Sequence, residues 1–367
     1  MNAEVYINDK IEVKRTAYGG RACFASNSML KGTHLLDLSQ WIGSSISHEF
    51  RKEVCHFCLK YDGGKPMKVR ISWADLLKLD LNLLNHKLEK KYKGSGLWFC
   101  TEECKNFFLS GPNIVDLILN YEMILTHFQS IQGKSLCVET DTELYKDYDN
   151  KRMHQEIESC WMDLESTWMP RVSKMKLAKA TNQLPVIDED HYSCIRFVIE
   201  CLFNMTHLDR NSVKWNTWEK LQSNEVEKIM RFPVLLEFQI KVFKWVYTLA
   251  PQYRYIMTTS VFRHILGSEY GNSFGIWETS ESDDDREYLG YMVHPEASYF
   301  NHSCVPNVEK KRVERVFQYI LQTDVQKGEE LCIDYKGILH LDVNRRRAIL
   351  KDNWFFECKC SRCLSEL

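Results

Sequence analysis

The spacing of the cysteines limits the folds open to this chain more than any other feature. Cys55 and Cys58 flank a CHFC knuckle, Cys100 and Cys104 a CTEEC run, and Cys358, Cys360 and Cys363 form CKCSRC close to the C-terminus. The two pairs together supply four thiolates, the full complement of one closed tetrahedral structural zinc site. CTEECKNFF reads as a cysteine pair on the first turn of a helix. The stretch between the pairs, including WADLLKLDLNLLNHKLEKKYKG, lacks obvious packing of its own, and a metal clip closing that loop would fix it. The terminal triplet supplies three thiolates and needs a fourth ligand from elsewhere. On residues alone, Cys304, His302 and the C-terminal region itself are candidates. Cys23, Cys137, Cys160, Cys194, Cys201 and Cys332 stand mostly beside apolar residues and read as packing thiols.

Whether fourteen cysteines mean metal or disulfides depends on the compartment. The opening MNAEVYINDKIEVKR has no apolar core of signal-peptide type, and no run of eighteen apolar residues occurs. An intracellular protein of the nucleus or cytoplasm, with no membrane partner, is therefore expected, and metal and packing account for the thiols. The formal charge of −2 provides no global basic field for nucleic acid or anionic lipid. EKKRVERV and NRRRAI are basic but short and mixed with apolar residues, so direct nucleic-acid binding is not expected.

Short extended stretches open the chain: EVYIND, IEVKRT and AYGGRACFA, with Tyr18 to Arg21 as a turn returning into a strand, then HLLDL. From Ile114 to about Tyr255 the apolar spacing is helical. Ile195, Ile199, Leu202 and Met205 share one stripe behind an acidic helix start, and a third helical region bends near Pro233. TTSVFRHILGSEYGNSFGIW runs from helix through a glycine-broken turn into a strand. An acidic stretch from Glu281 to Glu287 follows as a polar loop. RVFQYILQT and EELCIDY are strands, and the sequence ends in a short helix leading to the cysteine triplet.

NHSCVPN, GEELCIDY and CKCSRC form a three-part combination that resembles the SET-domain protein-lysine methyltransferases. The likeness is to the subgroup with a MYND-type zinc finger inserted into the SET domain, and to its compact fungal members. GGRACFA resembles the family's first strand pair, and GNSFGIW its turn and strand. The resemblance implies an α+β SET β-fold with a pseudoknot, an inserted degenerate zinc finger, a helical insert and a C-terminal post-SET zinc knuckle. It divides the chain into an N-terminal SET part (1–50), the finger (51–110), a helical linker and insert (111–257), the C-terminal catalytic SET core (258–340) and the post-SET segment (341–367). Cys55, Cys58, Cys100 and Cys104 match one ligand set of a MYND finger. The second cysteine pair and the trailing His and Cys are absent, which implies one zinc in the finger rather than two.

The same resemblance implies S-adenosylmethionine and two structural zinc ions as cofactors, and a lysine-containing protein, histone or other, as substrate. Gly20 and Arg21 match the turn beside S-adenosylmethionine, and Asn272 an asparagine near its methionine portion. Asn301 and His302 match the pair that contacts it within the pseudoknot. Phe356, with Phe355 as the adjacent alternative, matches the aromatic stacked on adenine, and Tyr335 the tyrosine at the methyl-transfer site. Cys304 becomes the fourth ligand beside Cys358, Cys360 and Cys363. A non-catalytic interaction module on a SET scaffold is the competing expectation.

Overall fold

The computed structural model describes residues 5–17, 20–84, 86–131, 150–279 and 286–367. Tyr18, Gly19, Cys137 and residues 281–285 of the acidic stretch lie outside them. Strands β1 (Tyr6–Asn8), β2 (Ile11–Thr16), β3 (Gly20–Ala25), β4 (His34–Leu38) and β5 (Gly43–Ile46) open the chain. The cysteine-bearing module carries β6 (Val69–Arg70) and β7 (Trp98–Phe99). After the helices come β8 (Ser273–Trp277), β9 (Tyr288–Val293), β10 (Asn301–His302), β11 (Val308–Val313), β12 (Val316–Leu321) and β13 (Glu330–Ile333).

Small sheets pair the two ends of the chain. Their strand orders are β1-β2-β3-β13-β10, β11-β12-β4, β5-β9-β8 and β6-β7. In the first, β13 runs antiparallel to β3 and parallel to β10, with Asn301 opposite Cys332 and His302 opposite Ile333. Parallel neighbours cannot be joined by a tight turn. Here the chain leaves β10, forms the β11–β12 hairpin in another sheet and returns as β13. That route lays residues 301–302 alongside the strand leading into Tyr335.

The helices form as their apolar spacing predicts. Ile195, Ile199, Leu202 and Met205 are all buried on the helix Glu189–His207, whose N-cap Asp188 accepts the backbone N–H of His191 at 2.9 Å. This helix packs on β5, where half-buried Glu200 accepts Trp41 Nε1 at 3.0 Å and Ser44 N at 2.7 Å. Helices Glu225–Arg231 and Val234–Leu249 are separated at Phe232 and Pro233. GNSFGIW differs from expectation: the helix Thr259–Asn272 runs directly into β8 with no intervening turn. Gly271 lies inside its last turn, where a Cβ would strike the Asn224 side chain.

In the cysteine module, Ser72 and Asp75 form a capping box at the start of the helix Trp73–Leu79. The loop before β7 is tied to the helix Ile114–Ile131 by buried Glu122, which accepts the N–H groups of Lys93 at 2.8 Å and Ser95 at 2.6 Å. Among the described residues, no helix is long and apolar enough to cross a membrane.

Candidate active site and metal centres

The sulfurs of Cys55, Cys58, Cys100 and Cys104 all lie within 4.8 Å of one another. Cys58 and Cys100 are 3.6 Å apart, and Cys100 and Cys104 3.5 Å. Local structure places each one. The knuckle turns at Leu59, which has a φ of 63°, and Leu59 N donates to Cys55 O at 2.9 Å. Cys100 follows β7, and Cys104 sits in the first turn of the helix Glu102–Leu109, its N–H donating to the N-cap Thr101 Oγ1 at 3.2 Å. The Cys58 thiol and backbone N–H groups of the knuckle hold the Cys55 thiol below its ordinary range.

Cys304, Cys358, Cys360 and Cys363 form the second cluster within the same 4.8 Å limit, with Cys304 and Cys363 3.5 Å apart. The structure thus brings Cys304 to the terminal triplet. Burial pushes the Cys360 thiol up, but backbone N–H groups of Cys363 and Cys304 outweigh it, and the thiol falls to about 7. Bonds of about 2.3 Å to a tetrahedral zinc put the sulfurs about 3.8 Å apart, so both donor sets fit that ion with no open position.

His302 joins the second cluster to Tyr335. Its Nδ1 accepts the Tyr335 backbone N–H at 3.2 Å, which places the ring proton on Nε2, 3.4 Å from Cys304 Sγ. Burial, and then the nearby Arg346 cation, lower His302 to about 4, so the ring is neutral. Both ring nitrogens are engaged within the protein. Asn301 is likewise held, donating from Nδ2 to Glu330 Oε1 at 3.1 Å.

Half-buried Tyr335 donates its O–H to Phe300 O at 3.0 Å. Burial, and then the neighbouring Cys332 thiol, push its phenol above the ordinary value. Its ring lies 5.2 Å from Trp354, 5.4 Å from His302 and 6.3 Å from Phe356. Phe356 faces this aromatic group, whereas the Phe355 ring faces Lys228 and Arg231.

Gly20 and Arg21 line an open cleft of about 600 Å³ with Arg15, Thr16, Lys220 and Gln222. Gly20 has a φ of 76°, a left-handed conformation that suits glycine. The Arg21 guanidinium donates to Lys220 O and stacks 5.2 Å from the Tyr299 ring. Asn272 folds back on its helix, donating to Ser268 O at 2.7 Å, and also reaches Gln222 O at 3.4 Å. The predicted residues therefore gather in two groups. Gly20, Arg21 and Asn272 meet around Gln222, and Asn301, His302, Tyr335 and Phe356 surround the β10–β13 pairing.

Sequence reasoning missed the inward-turned arginines beside the thiols, one buried and two half-buried. Arg346, from NRRRAI, is wholly buried. It donates to Cys304 Sγ at 3.3 Å, Cys363 Sγ at 3.7 Å, Leu341 O at 2.6 Å and Glu366 Oε2 at 2.6 Å. Arg312 and Arg315, from EKKRVERV, donate to Leu59 O at 3.1 Å and Phe57 O at 2.7 Å in the first knuckle. Arg315 also stacks over Trp41 and Phe57. Trp354 and Gln222 were missed as well; neither belongs to a recognisable motif.

The chain is similar to known proteins over most of its length. The family described as the SET domain matches residues 20–336. A Saccharomyces cerevisiae protein described as "Potential protein lysine methyltransferase SET6" is 46% identical over 363 residues, 98% of this chain and 96% of that protein. A SET and MYND domain-containing protein of Dictyostelium discoideum is 37% identical over 94 residues, 26% of this chain and 21% of its own length. The protein-lysine N-trimethyltransferase SMYD5 of Danio rerio is 42% identical over 71 residues, 18% of this chain and 17% of its own.

Proposed function

Because the chain belongs to the SET-domain family, we propose that it is an S-adenosylmethionine-dependent protein-lysine methyltransferase. The observation that carries the reading is the setting of Tyr335. Its O–H is committed to the Phe300 carbonyl and its N–H to His302, so the phenol oxygen is fixed in place with lone pairs still able to accept from an amine. With its phenol held above 10, Tyr335 stays neutral and acts as an oriented dipole, not a general base. Trp354 and Phe356 stand beside it as aromatic walls. Such a partly dry surround disfavours the ammonium form of a lysine and leaves the amine as nucleophile. An interaction module would have no need of this arrangement.

S-adenosylmethionine, when bound, supplies the sulfonium methyl group. The cleft at Gly20, Arg21 and Asn272 and the exposed side of Phe356 are the surfaces that would hold it, and the Gly20 turn permits close backbone approach. The engaged side chains of His302 and Asn301 leave their contact with it to the backbone. Both four-cysteine clusters bind zinc as scaffold. The first fixes the inserted module; the second ties the C-terminal segment to the strand that carries Asn301 and His302. The substrate is a lysine side chain of a protein, histone or otherwise.

The test combines purified protein, methyl-labelled S-adenosylmethionine and a cell-protein extract. Label should appear on a lysine mapped by mass spectrometry. Tyr335→Phe should lower transfer at least about 100-fold, as loss of a preorganised polar group does, without unfolding the protein. Tight cofactor binding with no transfer to any protein would instead establish the interaction module.

A further inference from the structure

The helix Glu225–Arg231 and the residues just before it touch both groups of the candidate site. At the leading end, Gln222 lines the cleft with Gly20 and Arg21, and its carbonyl accepts from Asn272. Gln222 Nε2 donates to Asn224 Oδ1 at 3.2 Å, and Asn224 N donates to Gly267 O at 2.8 Å on the helix that ends in Asn272. At the trailing end, Arg231 Nη1 donates to Lys351 O at 3.2 Å and Nη2 to Asp352 Oδ1 at 2.6 Å. The arginine therefore caps the last turn of the helix Val343–Trp354.

That turn ends unusually. Phe355 is its C-cap, with a φ of 61° and a ψ of 25°, a left-handed conformation in which glycine or asparagine is the ordinary choice. Its N–H donates to the Lys351 carbonyl that Arg231 also engages. Its ring lies 5.3 Å from Lys228 Nζ and 5.8 Å from Arg231 Cζ. The reversal at Phe355 sends Phe356 to the opposite side, 6.4 Å from the His302 ring and 6.3 Å from that of Tyr335. A phenyl ring at a glycine-type position, gripped by two cations, is arranged to hold the turn. Capping alone would be served better by glycine.

We propose that residues 222–231 are a strut setting the two parts of the cofactor site at a fixed separation, with Lys228, Arg231 and Phe355 as positioning residues for Phe356. The inference rests on the methyltransferase reading. None of the three side chains need touch the cofactor, because the strut acts through the turn.

Phe355→Gly separates capping from positioning. It removes the left-handed strain and the gripped ring together. We expect the melting midpoint of the full chain to hold or rise, while calorimetric titration shows S-adenosylmethionine bound roughly five- to thirtyfold more weakly, the size of two lost ring–cation contacts. Phe355→Tyr keeps the ring and should bind as wild type. Arg231→Met should weaken binding by a similar factor, and the double variant should be no weaker than the weaker single, because both act through one turn. Arg231→Met alone carries the test if the glycine variant does not fold. Wild-type binding that survives unchanged in Phe355→Gly and Arg231→Met overturns the strut and leaves the methyltransferase reading intact. A wild-type protein that does not bind S-adenosylmethionine overturns both.

Discussion

Arg346 gives the sharpest test of how the second metal centre is held. Four thiolates around a divalent ion leave two excess negative charges, and a buried centre must have them compensated. Arg346 is wholly buried and gives two of its contacts to the sulfurs of Cys304 and Cys363. Its other two go to Leu341 O and Glu366 Oε2, each at 2.6 Å. Arg346→Met keeps a long apolar stem and removes the charge and all four of these contacts. The Leu341 carbonyl loses its donor at about 1–3 kcal/mol. Glu366 is exposed, so solvent screens the loss of that ion pair and it adds little. The uncompensated thiolates supply the rest of the roughly 3–5 kcal/mol expected when one partner of a buried charge pair is removed. Loss of an outer-shell partner should also weaken zinc binding about 10- to 100-fold. The assay is a chelator competition followed by a zinc-responsive dye, with thermal melting alongside it. One of two zinc ions should leave at lower chelator concentration while the other is retained as in wild type. The melting penalty should shrink once both proteins are stripped of metal, since protonated thiols no longer need the cation. Unchanged zinc retention, or a penalty of the same size with and without metal, would show that Arg346 merely fills space.

The two centres should differ in their consequences. Metal analysis should find two zinc ions per chain and one in either Cys58→Ser or Cys360→Ser. Methyl transfer should be lost in Cys360→Ser, because Cys304, His302 and the Tyr335 backbone form one connected path, but retained in Cys58→Ser. A pH effect resides in His294, which is wholly buried and lowered to about 3 by burial and then by the Lys214 cation. Its folded value lies below the unfolded 6.5, so the unfolded state binds the extra proton. Its contribution is therefore complete above pH 6.5 and is lost as the pH falls from 6.5 toward 3. Between pH 7 and pH 5 the loss should be about 2 kcal/mol at 1.36 kcal/mol per unit. Urea midpoints should show a correspondingly smaller pH dependence in His294→Phe, and an equal dependence in both proteins would refute the assignment.

What the sequence reveals and what it conceals divide along a physical line. The stripe through Ile195, Ile199, Leu202 and Met205 and the helix break before Pro233 follow from local periodicity and backbone chemistry, and the structure reproduces them. The four thiols of the first cluster were legible because two close pairs already satisfy a coordination number. Cys304 was not legible by spacing. Its partners lie more than fifty residues away, and only the parallel pairing of β10 with β13 brings its strand to the C-terminal segment; the family resemblance had to supply the link. The basic runs gave no sign of the role their arginines play. A row of Lys and Arg normally reads as a solvated or phosphate-facing surface, because burying a cation is costly. That expectation holds only when no compensating charge is buried nearby, and the compensating charge here is distributed over cysteines distant in sequence. Arg312, Arg315 and Arg346 turn inward because carbonyls and sulfurs of the knuckles receive them. Thiol clusters and inward-turned arginines are thus two halves of one device, and each half is intelligible only with the other. His302 extends that device to the chemistry. The ring that hydrogen-bonds the sulfur of Cys304 also fixes the backbone of Tyr335, so the proposed zinc site and the proposed methyl-transfer residue are held by the same imidazole.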